Sequence, residues 1–213
     1  ELPILLIKQP KDTLYISADT LYSGRLSDLK RKIPKARAKE EMIKDSSLNK
    51  YFEAFHHVKI YSDSLQGLAD SLFYGLADST IRLHNNPILW VNQNQITGDT
   101  IYMHLNNRKA EQLRILNNAM AINPVDSTDY FNQLKGNNII VDFIDGKVQQ
   151  MQTKGSAENI YYAQDEQKGF VGVNKNSCRR QLDRCWDHFG HGHFRNRGRA
   201  HVPGCRSIAT SDD

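Results

Sequence analysis

The sequence is sparing in cysteine, tryptophan and methionine, with 3, 2 and 4 respectively in 213 residues. So few cysteines exclude a disulfide-built scaffold, and a chain of this length can bury a sizeable core without one. No apolar run approaches the roughly 20 residues needed to span a bilayer as a helix, which predicts a soluble chain. The opening, "ELPILLIKQPKD", has neither the basic flank nor the small-residue cleavage site of a signal peptide and is compatible with a mature N-terminus. Catalytic signatures are missing as well: there is no Gly-x-Ser-x-Gly elbow, phosphate loop or dinucleotide fingerprint. His56 and His57 are adjacent, so on an extended strand they would point to opposite faces and form no ligand pair. The expectation is a protein that is not an enzyme and carries no cofactor or metal.

Net charge is also modest, at +4, and it is unevenly placed. Residues 175–213 hold eight of the 28 basic and four of the 24 acidic residues, which leaves twenty of each in residues 1–174. A neutral body carries no electrostatic footprint for nucleic acid. All three cysteines (Cys178, Cys185, Cys205) and four of the eight histidines lie in the tail, and none of the nine tyrosines does. Composition therefore changes near Lys175.

What the body does have is alternation. In "TIYMHL" Ile101, Met103 and Leu105 alternate with Tyr102 and His104; in "STIRLH" Ile81 and Leu83 alternate with Arg82 and His84. In "NIIVDF" Ile139, Val141 and Phe143 alternate with Ile140 and Asp142. Period two predicts strands with one dry and one wet face. Asn85-Asn86-Pro87, Asn106-Asn107, Asn117-Asn118, Asp145-Gly146 and Lys154-Gly155 are turn-forming types between them. Short strands and turns at this spacing predict an all-β sandwich, barrel or roll.

One phrase recurs. Gln66-x-x-Ala69-Asp70-Ser71-Leu72, Gln95-x-x-Gly98-Asp99-Thr100-Ile101 and Gln133-x-x-Gly136-Asn137-Asn138-Ile139 share an outline, and Ala18-Asp19-Thr20-Leu21 is a partial copy. Each sets a small residue and an Asp or Asn where the chain turns, then an apolar residue that opens an inward-facing series. The copies are preceded by "HHVKIYSDSL", "NNPILWVNQN" and "NNAMAINPVD", each a polar turn and an apolar strand. Unequal spacing excludes a strict solenoid and suits stacked hairpins with loops of different length. As equivalents in this phrase, Asp70 and Asp99 belong to turns rather than to a pair of catalytic carboxylates.

Two segments break the pattern. Residues 25–50, "RLSDLKRKIPKARAKEEMIKDSSLNK", are dense in charge and interrupted by Pro34, which reads as a solvated insertion or linker, with a basic membrane-surface or partner-binding helix as the other reading. The tail sets Cys178, Cys185, His188, His191, His193, His201 and Cys205 within 28 residues. Those are ligands enough for zinc or copper, but no paired Cys-x-x-Cys spacing is present; a disulfide between two of the three cysteines is the alternative.

The run from Tyr51 to Asn174, above all "YFEAFHHVKIYSDSLQGLADSLFY", "DSTIRLHNNPILWVNQNQITGDTIYMHLNNRKAEQLRILNNA" and "FNQLKG", resembles the OstA-like, LptA-type family of lipopolysaccharide-transport proteins, in the form found in the Bacteroidetes group. "DTLYISADTLYSG" is similar too. The resemblance implies an elongated, twisted β-jellyroll: N-terminal strands in 1–24, the charged insertion in 25–50, the body in 51–174 and an atypical basic Cys/His-rich tail in 175–213. After "GVNKNS" the family pattern calls for another apolar strand pair and this chain departs from it, as a shifted reading frame or a non-native terminus would. The implied function is to bind the acyl chains of lipopolysaccharide in an apolar groove and help carry it across the periplasm to the outer membrane. The implied partners are lipopolysaccharide and other jellyroll proteins, or further copies, stacked head to tail.

On that reading Val58, Ile60, Leu72, Ile81, Leu83, Ile101, Met103, Leu113, Ile115, Ile139, Val141 and Phe143 line the groove, with Trp90, Tyr61, Tyr74, Tyr102, Tyr161 and Tyr162 as flanking aromatics. A structural β-repeat protein of the cell envelope, whose inner face is simply core, is the alternative.

Overall fold

The computed structural model describes residues 2–8, 13–29, 48–63, 65–91, 93–107, 109–125, 128–144, 147–165, 167, 169–178 and 205–210, the backbone alone for 147–148, 178 and 205–210. The chain is all-β. Its strands are β1 (Ile4–Lys8), β2 (Thr13–Ser17), β3 (Thr20–Gly24), β4 (Tyr51–Tyr61), β5 (Leu65–Gly75), β6 (Thr80–His84), β7 (Ile88–Val91) and β8 (Asn94–Thr97). They continue with β9 (Thr100–Asn106), β10 (Lys109–Pro124), β11 (Phe131–Ile144), β12 (Lys147–Lys154), β13 (Ala157–Gln164), β14 (Phe170–Cys178) and β15 (Cys205–Thr210). A 3₁₀ turn at Leu26–Asp28 lies near the start of the charged segment, most of which is outside the described residues.

Every pairing is antiparallel, and the registers separate into two ladders. The first runs β1-β2-β4-β5-β7-β8-β10-β11-β13-β14-β15 and uses residues 58–61 of β4, 65–69 of β5, 119–124 of β10 and 131–136 of β11. The second runs β3-β4-β5-β6-β9-β10-β11-β12 and uses residues 51–55, 71–75, 109–116 and 138–144 of the same four strands. The long strands thus belong to both ladders and bend between them. Buried side chains from both ladders form one apolar cluster, so the two face each other across a common core.

The bends explain the recurring phrase. Ala18-Asp19, Ala69-Asp70, Gly98-Asp99 and Gly136-Asn137 each stand where the chain passes from the first ladder to the second. It returns at His56-His57, Asn85-Asn86, Asn117-Asn118 and Gly155-Ser156, all with positive φ, for example 61° and 51° at the histidines. Asn and His are among the few non-glycine types enriched in this left-handed region.

The crossings bond to one another. The backbone N–H groups of Asp19, Asp99 and Asn137 donate to the carbonyls of His56, Asn117 and Gly155 at 3.0, 3.0 and 2.8 Å. Asp19 and Asp99 also bond the side chains of His57 (2.7 Å) and Asn118 (3.0 Å). Asp70 lies within 3.3 Å of His56 Nδ1 and accepts from Asn85 Nδ2 at 2.9 Å. A polar seam therefore ties successive crossings together. By the topology, the hairpin turns of both ladders lie at the far ends of the strands, away from this seam.

Small residues at the crossings have a packing reason. A Cβ at Gly98 would collide with the Ile115 side chain, and one at Gly136 with the methyl of Thr153. Those neighbours belong to the core directly beneath each bend.

Several expectations need correction. His56 and His57 are not on an extended strand; they occupy a left-handed bend and reach different carboxylates. Asn117-Asn118 does not separate two strands, because β10 continues through it. His104, expected on the wet face, is only 9% exposed and shares a 2.8 Å hydrogen bond with Thr80. β14 runs through Lys175, where the composition changes, and β15 pairs with it.

Candidate functional site

The interior between the ladders is the one extended apolar surface that the expected lining residues share. Val58, Ile60, Leu72, Ile81, Leu83, Ile101, Met103, Leu113, Ile115, Ile139 and Val141 are all buried, none more than 6% exposed. Phe143 is half-buried and packs against them. Register brings them together: Leu83 pairs with Ile101, which pairs with Ile115, which pairs with Ile139, a continuous inward row across four strands. The same row on the next inward step reads Ile81, Met103, Leu113 and Val141. In this conformation the rows are packed against the rest of the core.

Other inward residues were passed over in the sequence. Leu14, Ile16 and Ala18 are buried on the first ladder and carry the same period-two signal in "TLYISA". Leu89 and Ile96 sit on strands of four residues, where too few alternations occur to show a period, and Ala121 and Leu134 lie on the first-ladder arms of β10 and β11.

At the β1 end the interior opens. A cavity of about 160 Å³ lies between β1 and β2 on one side and β3, β4 and β5 on the other. Its lining includes Leu5, Ile16, Leu21, Phe52, Ala54 and Leu72, with Glu53 and Tyr22 as polar neighbours. Ile16, Ala54 and Leu72 belong at the same time to the central cluster, so the cavity is continuous with the core. A cavity of this size lined by apolar groups matches a benzene-sized occupant. β1 is the terminal strand of its ladder among the described residues, and Leu2, Ile4 and Leu6 on it and before it are exposed. A strand with a free edge and an apolar face is a template for another strand.

The flanking aromatics scatter. Tyr74 is buried in the core, Tyr61 is exposed, and Tyr102 lies on the outer face, where the Arg82 guanidinium sits over it and over Phe73. Arg82 also pairs with the Asp78 carboxylate, the two side chains being 12% and 5% exposed. The Trp90 indole donates to Gln95 at 3.2 Å. Tyr162 stacks on Tyr130 with 4.7 Å between ring centres, beside Phe170. Tyr161 is half-buried, and burial raises its phenol pKa above the ordinary value.

Asp70 and Asp99 belong to different crossings of the seam. The Asp70 carboxyl is held below its ordinary pKa, chiefly by the Asn85 hydrogen bond and next by His56. Among the described residues no group of three or more His, Cys, Asp or Glu side chains is placed to hold a metal ion. Cys185, His188, His191, His193 and His201 lie outside the described residues; the backbones of Cys178 and Cys205 stand opposite each other in register. Among the described residues no helix is long and apolar enough to cross a membrane. Comparison with protein-family models and with curated proteins finds no match to the chain.

Proposed function

We propose that the chain is a binding protein for lipopolysaccharide, a periplasmic β-jellyroll of the OstA-like, LptA type that takes acyl chains between its two ladders and hands the lipid on toward the outer membrane. It acts by binding, without catalysis. The observation that carries this reading is the apolar cavity at the β1 end, continuous with the inward rows and beside a free strand edge. Such an edge suits head-to-tail stacking on a similar jellyroll or a second copy.

The energetics favour the apolar rows as the source of affinity. Burying hydrocarbon is worth about 0.8 kcal/mol per methylene, so a chain of about 12 carbons offers roughly 10 kcal/mol before ordering costs. Exposed ion pairs give about 0–1 kcal/mol each and contribute mainly to steering. The cavity holds only the tip of such a chain, so full binding requires the ladders to part along the side of the hairpin turns, opposite the bonded seam. The seam then acts as the hinge line.

The tight burial of the inward rows favours a second reading, a structural envelope protein in which they are only core. Displacement of a fluorescent fatty acid by lipopolysaccharide separates the two. Binding that is lost in Leu21→Arg and Phe52→Arg, with the circular dichroism unchanged, supports the lipid reading. A wild-type protein that binds neither probe nor lipopolysaccharide leaves the structural one.

A further inference from the structure

The chemistry of the interior changes along the ladders. From β2 to β11 the inward side chains are overwhelmingly apolar, but on β13 and β14 amides take their place. Asn159 stands directly opposite Asn176, and Asn174 opposite Tyr161. Directly opposed residues of an antiparallel pair share a face. That face is the inner one, because Ala157 and Asn159 are buried while Glu158 between them is exposed.

Thr153 of β12 reaches the same region from the second ladder. Its methyl lies against Gly136, one inward step from Leu134, and Leu134 is the register partner of Asn159. Thr153 and Asn159 are 3% and 7% exposed. Their side-chain oxygens, with Oδ1 of the half-buried Asn174, are shielded from solvent and have no hydrogen-bond partner among the described residues. Buried polar atoms are nearly always paired with protein, ordered water or a bound molecule, so three such oxygens on neighbouring strands offer acceptors that a ligand's donors can fill.

We propose that this stretch of β12, β13 and β14 is a binding site for a neutral sugar, whose hydroxyls donate to Asn159 and Asn174 and bond the Thr153 hydroxyl. Two amide acceptors and a hydroxyl are matched by the O–H donors of a neutral ligand. Glu158 and Lys175, the charged residues beside them on β13 and β14, are exposed and alternate to the outer face. The half-buried ring of Tyr161, opposite Asn174, offers a sugar an apolar face, and its phenol stays neutral. Among the described residues the first ladder continues with β13 and β14 beyond β12, the last strand of the second, so Asn174 and Asn176 stand past that strand and lead inward to Asn159. A few placed amide and hydroxyl groups in a concave site are the usual means of fixing such a ligand. The proposal goes beyond the lipid reading and does not depend on it, since the apolar cavity lies at the opposite end.

The test uses the full chain, isotope-labelled, with the side-chain amide signals of Asn159, Asn174 and Asn176 followed during titration with methyl β-glucoside and, below its micelle concentration, octyl β-glucoside. Saturable shifts at Asn159 and Asn174, with binding weakened by about tenfold in Thr153→Val and Asn159→Leu, are expected. A tighter response to the octyl glycoside identifies the sugar as a lipid headgroup, and an equal response identifies a free saccharide; either supports the site. Without sugar, Asn159→Leu should unfold at the same or a higher temperature, because it removes a buried amide oxygen that has no partner among the described residues. Absence of saturable shifts, with only water contacts at the Asn159 amide, overturns the proposal. So does a marked loss of thermal stability in both variants, which identifies a purely structural role.

Discussion

At the scale of single residues, the seam depends on a few side chains whose roles are separable. Asp70 is held in its charged form by Asn85 and His56, so its folded pKa lies below the ordinary value of 3.8. A depressed carboxylate pKa contributes stability that is present above the unfolded pKa and lost as pH falls through the folded one. The thermal stability lost in Asp70→Asn should therefore be constant near neutrality and shrink below about pH 4. A difference that persists unchanged down to about pH 2 would contradict this assignment. At the neighbouring crossings the constraint is steric. Gly98→Ala and Gly136→Ala force a Cβ against Ile115 and Thr153, and each should cost about 1–3 kcal/mol in denaturant unfolding. A neutral result for both would mean that the ladders yield easily at the bend.

At the scale of strands, alternation was the legible signal and bending was not. The inward residues of "STIRLH", "TIYMHL" and "NIIVDF" are identified by period two alone, because a half-buried strand cannot present the same face any other way. Nothing local marks β4 and β10 as continuing through His56-His57 and Asn117-Asn118. The left-handed backbone there is stabilised by Asp19, Asp70, Asp99 and Asn138, residues up to tens of positions away in sequence, so the dipeptides look like ordinary turns. The cavity was equally hidden, since it depends on β1 and β2 lying over β3 and β4, a register that no single strand reveals. The amides of β13 and β14 were visible as residues but not as a row, because only the pairing puts Asn159 opposite Asn176. One consequence of the alternation can be measured on one pair of adjacent strands. Leu113→Ala on β10 should cost about 2–5 kcal/mol, whereas Lys135→Ala on β11, which points outward, should stay within about 0.5 kcal/mol. Comparable losses at both positions would mean that the register is wrong.

At the scale of the whole molecule, the chain is two ladders joined by a hydrogen-bonded seam, packed in the middle, apolar and open at the β1 end and lined with amides toward β14. The seam bonds one side of the interior, and the hairpin turns lie on the other. The apolar cavity at the β1 end, continuous with the inward rows, is why we favour the proposed lipid binding over a purely structural role. The most direct measurement is photo-crosslinking in cells making labelled lipopolysaccharide, from a photoreactive residue placed at Phe52 in the cavity, at Val141 on the inward row and at Tyr102 on the outer face. The account predicts adducts from Phe52 and Val141 and none from Tyr102. No adduct from either inward position, with the protein folded and in the periplasm, or equal adducts from all three, would contradict it.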